Sequence, residues 1–216
     1  MNTKFKTTKI ALIIAIVIAP TSLMSFSTES RSYEGPAFSL TNANSTINWK
    51  GTKRGGSHNG IIEVLNGTID TDGSSIMGGA FTIDMKSIVC EDLTKEKYNK
   101  KLIGHLKSED FFDVEKFPQA AFKITKVVKK MSAMDGFTAN HMISGDLTLK
   151  GITKEISFPA KITMDANIVY AKTGNIILDR TNWNVNYQSK KVFANLMDNY
   201  IDDDMIVSLN ILLDRK

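Results

Sequence analysis

Cysteine is almost absent from this chain of 216 residues, with Cys90 the only one. One thiol cannot cross-link the fold internally, so stability has to come from core burial. A chain of about 190 residues after removal of a leader suffices, since domains of that size bury roughly 70% of their unfolded surface. Cys90 itself reads as a small half-buried apolar residue, with an intermolecular disulfide or a redox-reactive thiol as the alternative. Histidine is scarce too: His58, His105 and His141 show neither H-x-H nor H-x-x-x-H spacing, so no metal pair is marked. Nucleotide and hydrolase signatures are missing. There is no P-loop and no Gly-x-Gly-x-x-Gly, and Gly56-Ser-His-Asn-Gly60 is turn chemistry rather than a nucleophile elbow. No internal repeat or low-complexity tract suggests a second domain.

Long apolar runs are also lacking. The longest, Ile10 to Ala19, has ten residues, whereas a bilayer core needs roughly 20. Lys4, Lys6 and Lys9 precede this run, Pro20 breaks it, and Ser25 and Ser27 bracket Phe26 as a cleavage site. That order of charged, apolar and small polar residues predicts a secretory signal peptide over residues 1–27 and a periplasmic or secreted protein. An uncleaved anchor reaching Met24 is the alternative. No cysteine near this segment offers a lipoprotein acylation site. Cleavage would take three of the 27 basic residues and none of the 23 acidic ones, leaving 24 against 23. A nearly neutral mature chain has no electrostatic footprint for nucleic acid.

What the sequence has in quantity is alternation. A polar lead-in covers 28–36, and from Ala37 onward apolar and polar residues alternate between turn signals such as Asn66-Gly67 and Thr71-Asp-Gly73. Ile47 and Trp49 share a face, as do Ile62 and Val64. Phe81, Ile83 and Met85 form another, and Phe122 with Ile124 a further one. Ile143, Leu147 and Leu149 follow, then Ile156, Phe158, Ala160, Ile162 and Met164. Ile176 and Leu178 begin a stripe, and Trp183, Val185 and Tyr187 alternate with Asn182, Asn184 and Asn186. Met205, Val207, Leu209, Ile211 and Leu213 complete a last strand.

One apolar and one polar face per strand is the mark of antiparallel sheet; buried parallel strands are apolar throughout. The expected fold class is therefore all-β, an antiparallel barrel of about eight strands, because so many strands split or curl closed. One stretch breaks the alternation. Asp92 to Leu106 reads as a short amphipathic helix ended near Gly104, and Ser108-Glu-Asp-Phe-Phe112 as the cap and start of a second helical turn. One or two short helices are thus expected.

No constellation for catalysis is visible. Asp202-Asp-Asp204 reads as a solvated loop, with a cation site as the alternative. Asp179-Arg180 reads as a local or cross-strand ion pair. An eight-stranded barrel can hold one small ligand, and a cavity lined by these apolar faces suits an apolar guest. The candidate ligand contacts are Trp49, Phe81, Ile83, Met85, Phe112, Phe122, Ile124, Leu147, Leu149, Phe158, Trp183, Val185 and Tyr187. Burying a CH₂ yields about 0.8 kcal/mol, so an isoprene unit offers about 3–4 kcal/mol before ordering costs.

Leu102-Ile-Gly-His-Leu-Lys-Ser-Glu-Asp-Phe-Phe-Asp113, Phe117-Pro118 and Ala121-Phe122 resemble a hallmark stretch of the YceI-like family. Gly145-Asp-Leu-Thr-Leu-Lys-Gly-Ile-Thr-Lys154 with Phe158-Pro159 resembles a second, and Asp179-Arg180 with Trp183 fits the family's C-terminal part. The resemblance covers about Ala37 to Leu213. It implies a lipocalin-like antiparallel barrel over 37–216, often periplasmic, that binds polyisoprenoids or other long amphiphiles and has no catalytic residues. The lysine-rich Thr94–Lys101 and an insertion-like loop over Lys129–Gly136 depart from the family pattern.

The expected role is binding, storage or transport of a polyisoprenoid, quinone precursor or fatty-acid-like amphiphile in the cell envelope, with no further cofactor and no metal. Transient membrane contact and a homodimer are further possibilities. Two rival readings are an enzyme acting on lipid through His105 or Asp179, and a stress-related interaction protein whose barrel is full.

Overall fold

Alternation becomes strand almost everywhere in the computed structural model, which describes residues 37–40, 45–134 and 136–216. The expected leader (1–27) and lead-in (28–36) lie outside the described residues. In chain order come β1 (Ala37–Ser39), β2 (Thr46–Lys53), β3 (Gly56–Thr71), β4 (Ile76–Cys90), α1 (Glu96–Lys107), β5 (Gln119–Met134) and β6 (Phe137–Leu149). Then follow β7 (Ile152–Met164), β8 (Ile168–Thr173), β9 (Ile176–Asp179), a 3-10 turn (Arg180–Trp183) and β10 (Asp204–Arg215).

Every strand pairing is antiparallel, and the order β10-β2-β3-β4-β5-β6-β7-β8 returns to β10, so eight strands form a closed ring. Closure removes the sheet edges that would otherwise invite aggregation. β10 does this by serving two neighbours: Val207 lies opposite Trp49 of β2, and Ile211 opposite Ala171 of β8. The short pieces extend the wall. β1 occupies the slot between β10 and β3, and β9 pairs with β10 through Leu178↔Met205.

Inward positions follow the two-residue period. On β6, Ile143, Leu147 and Leu149 are buried, and on β7 Phe158, Ala160 and Ile162 are. Gly145 completes the β6 row for a steric reason. A Cβ there would stand 2.5 Å from both Lys123 O and the Phe122 ring, so the ring lies across the glycine. Phe81 lies across Gly67 in the same way. Both phenylalanines are thereby held flat against the wall.

Three local expectations differ from the fold. The helix runs through Gly104 to Lys107, and Ser108 ends it instead of starting another: its hydroxyl donates to His105 O at 2.8 Å. A single helix results, followed by tight turns over 109–116. The Lys129–Gly136 stretch is mainly strand, since β5 continues to Met134 across a register shift between Lys129 and Ser132. Finally, Trp183, Val185 and Tyr187 do not form a strand. Asn184 adopts the left-handed conformation (φ 57°) that asparagine tolerates, ending the 3-10 turn, and Asn186 Nδ2 donates to Asn184 Oδ1 at 2.6 Å. Asparagines read as a solvated strand face are turn formers.

Candidate binding cavity

Eight strands leave room at the axis that the inward side chains do not fill. A cavity of about 230 Å³ runs from Ile69 and Ile76, near one end, to Arg180 and Asp202 at the other. Its surface is almost wholly aliphatic and aromatic, with charged residues bordering it only at the Arg180 end. Of the residues expected to meet a ligand, Trp49, Phe81, Ile83, Met85, Phe112, Phe122, Ile124, Leu147, Leu149, Phe158 and Val185 line it.

Two of the expected contacts, Trp183 and Tyr187, lie off this cavity. Trp183 is fully buried away from the cavity, where its Nε1 donates to Leu147 O at 3.1 Å and the 3-10 turn packs on β7. Tyr187 stacks edge-on against His105, ring centroids 4.5 Å apart, and lies 5.5 Å from Phe111. Both act on the end of the barrel: Trp183 closes the 3-10 turn and Tyr187 lies just beyond it. His105 also faces Asp110 at 3.2 Å. That places it inside an aromatic end-cap and outside the cavity wall.

The end-cap comes from two segments. Leu106, in the last turn of α1, and Phe111, just after it, join Phe112 in lining the cavity. Phe112 N–H donates to Leu106 O at 3.1 Å and Val114 N–H to Lys107 O at 3.0 Å, fixing the turn that aims these rings inward. The second segment centres on Arg180, only 3% exposed. Its Nε donates to Asp202 O (3.1 Å), Nη1 to Val185 O (2.6 Å) and Nη2 to Ile201 O (3.0 Å). Nη2 also stands 3.3 Å from Asp203 Oδ1, near enough to pair electrostatically though not aligned to donate. Burial pushes the guanidinium's pKa down, and the carboxylates of Asp203, Asp179 and Asp202 oppose that. It stays a cation, as guanidinium does in proteins.

Asp179 does not pair with its neighbour Arg180. Its Oδ1 caps the 3-10 turn by accepting from Thr181 N–H (3.0 Å) and Oγ1 (2.6 Å), while Oδ2 faces Lys191 Nζ. Burial raises the Asp179 pKa, but the hydrogen bonds from Lys191 and Thr181 outweigh it and hold the carboxyl below the usual range. Asp202 N–H donates to Thr52 O at 2.9 Å, tying the acidic run to β2. The run read as solvated loop is partly a counter-charge for Arg180.

The charged cavity residues Lys50, Arg180, Asp202 and Asp204 thus all lie at one end. Sequence reasoning placed Ile62, Val64, Ile143 and Ile162 on apolar faces without naming them as contacts, and all four line the cavity. Arg180, Phe111 and Ile201 were not foreseen there. Alternation, the signal used, does not reach loop residues.

Residues 38–213 match the model of the YceI-like domain. The chain belongs to the YceI-like family. Among curated relatives, UPF0312 protein YE1254 of Yersinia enterocolitica is 33% identical over 96 residues, 41% of this chain and 46% of that protein. Protein YceI of Escherichia coli O157:H7 is 33% identical over 91 residues, 39% of this chain and 44% of that one. The chain therefore spans less than half the length of either relative. Among solved structures, a polyisoprenoid binding domain from Saccharophagus degradans, implicated in plant cell wall breakdown, superposes with TM-score 0.59 at 16% identity. That similarity covers 84% of this chain and 99% of the domain. BcnA of Burkholderia cenocepacia gives TM-score 0.57 at 17% identity, covering 80% and 98%. Both share the fold of this YceI-like barrel.

Proposed function

We propose that this YceI-like barrel binds a long apolar molecule with one polar end, of the polyisoprenoid, quinone-precursor or fatty-acid type. The hydrocarbon lies along the axis, and the head group meets Lys50, Arg180 and Asp202. The observation that carries this reading is the apolar cavity of about 230 Å³ with its charges gathered at one end. The solved polyisoprenoid binding domain of the same fold supports it. Binding rather than catalysis is the role, since His105 and Asp179 are engaged in holding the end of the barrel together.

Storage or transport in the cell envelope fits the leader-like residues 1–27. Val192, Phe193 and Met197 are exposed on the loop that Lys191 ties to Asp179, and they offer apolar contacts for brief membrane engagement. Organic extraction and native mass spectrometry of the purified protein should find an apolar molecule, or one should bind when isoprenoids and fatty acids are offered. Finding neither would overturn the reading. Ala160→Phe pushes a ring into the cavity from a buried wall position, and should weaken ligand binding at least about tenfold. Circular dichroism checks that the barrel persists.

A further inference from the structure

The pairing of β3 with β4 brings His58 beside Cys90 and Asp92, more than thirty residues further along the chain, at a place that does not belong to the cavity wall. Gly60 of β3 pairs with Cys90 of β4. A Cβ on Gly60 would collide with the Val89 carbonyl, so glycine alone allows the strands this approach. His58, two residues before Gly60, and Asp92, two residues after Cys90, consequently meet over the same rim. His58 Nδ1 lies 2.8 Å from Asp92 Oδ2, and the Cys90 thiol donates to Asp92 Oδ1 at 3.2 Å. The ligand atoms of all three residues lie within 4.8 Å of one another.

The corner that carries them is well braced. Asn59 N–H donates to Asp92 Oδ1 at 2.8 Å, and Glu91 N–H to Asn59 O at 2.9 Å. Asn99 of α1 donates from Nδ2 to Cys90 O (2.9 Å) and Leu93 O (3.0 Å). Outer contacts of this kind orient metal ligands. Access is also present: the side chains of His58 and Asp92 are each 33% exposed, while the thiol is buried beneath them.

We propose that His58, Cys90 and Asp92 bind one divalent transition-metal ion of the zinc class, leaving a fourth position to solvent. Bond lengths of about 2.3 Å to sulfur and 2.0–2.2 Å to nitrogen and oxygen put tetrahedral ligand atoms roughly 3.3–3.6 Å apart. The His58–Asp92 pair therefore has to open by about half an ångström and the Cys90–Asp92 pair by a few tenths, with all the ligand atoms starting within 4.8 Å of one another. A thiolate beside an imidazole selects zinc-like ions over magnesium or calcium, which prefer oxygen alone. Burial, with Asp92 alongside, pushes the Cys90 thiol's pKa up, so the metal-free group is protonated. On binding, that proton leaves to solvent, and the carboxylate exchanges its hydrogen bonds from Cys90 and His58 for a bond to the ion.

Cobalt(II) titration of the reduced, EDTA-treated protein tests this independently of what fills the barrel. A thiolate-to-cobalt charge-transfer band should saturate at one equivalent and disappear on adding one equivalent of zinc. Cys90→Ser should abolish the band, and His58→Ala and Asp92→Asn should each weaken cobalt binding at least about tenfold. Melting and circular dichroism in EDTA show whether each variant keeps the barrel. If Cys90→Ser does not, the two variants at half-exposed positions carry the decision. No band in the unaltered protein, a band retained by Cys90→Ser, or unchanged affinity in both His58→Ala and Asp92→Asn overturns the proposal.

Discussion

The middle of this barrel and its α1-side end are built on different physics. Around the middle, Ile143, Leu147, Phe158 and Ile211 stand on alternating positions of strands whose backbone groups are satisfied by the ladders. Any apolar residue of similar volume would serve there, and exchanges that conserve volume cost little. At the end, 180–203 is a short 3-10 turn followed by largely irregular chain, touched by the sheet only at the Lys53–Ile201 bridge. Arg180 satisfies three of its carbonyls, at Val185, Ile201 and Asp202, with a single buried side chain. A wall can leave space at its axis because its stability does not depend on filling it. An end built from loops cannot, and uses hydrogen bonds that admit few substitutions.

The contrast is sharpest at Arg180. Arg180→Met keeps the length and removes the donors, leaving three carbonyls and the Asp203 carboxylate without their partner. Breaking a buried pair of this kind costs roughly 3–5 kcal/mol, measurable by urea denaturation. A loss below about 1 kcal/mol would mean water replaces the guanidinium freely, and the two regions would not differ as described. Next in size is Trp183→Phe, which removes the donor to Leu147 O but keeps most of the buried ring. It should cost about 1–3 kcal/mol and leave ligand affinity unchanged, since Trp183 lies off the cavity. A change in affinity at constant fold would place the tryptophan in the binding wall after all.

The smallest effect is at Asp179. Its folded pKa is below the unfolded one, so the stabilisation is present above the ordinary carboxylate value of about 3.9. It is lost as pH falls from there through the lowered value. Asp179→Asn preserves the cap to Thr181 and removes the charge facing Lys191. The variant's stability should fall less steeply than that of the unaltered protein below about pH 4, and at neutral pH it should be lower by about 1 kcal/mol or less. Equal slopes in a pH series of thermal melts would show that the charge on Asp179 contributes nothing to stability.

The legibility of the sequence follows this division. Wall positions could be read because a strand repeats every two residues: β6 and β7 obey that period along their buried faces, and β10 in the residues it turns to the cavity, Met205, Val207, Leu209 and Ile211. Eleven residues named from alternation or family resemblance line the cavity, Phe81 and Phe122 among them. The same rule misled at Trp183 and Tyr187, where Asn182, Asn184 and Asn186 mimic the polar half of a strand. Nothing local distinguishes an asparagine on a solvated face from one that turns the chain at φ 57°.

By itself, then, the chain's alternation determined antiparallel strands and an apolar interior, since burial of one face is a property of each strand taken alone. Ring closure was decided by tertiary structure, because it depends on β10 finding both β2 and β8. So were the partners of charge. Asp179 and Arg180 are adjacent in sequence yet face Lys191 and Asp203, for the 3-10 turn that starts between them points their side chains apart. His58, Cys90 and Asp92 carry no spacing that marks a site. Only the register of β3 against β4, and the close approach Gly60 permits, sets them side by side.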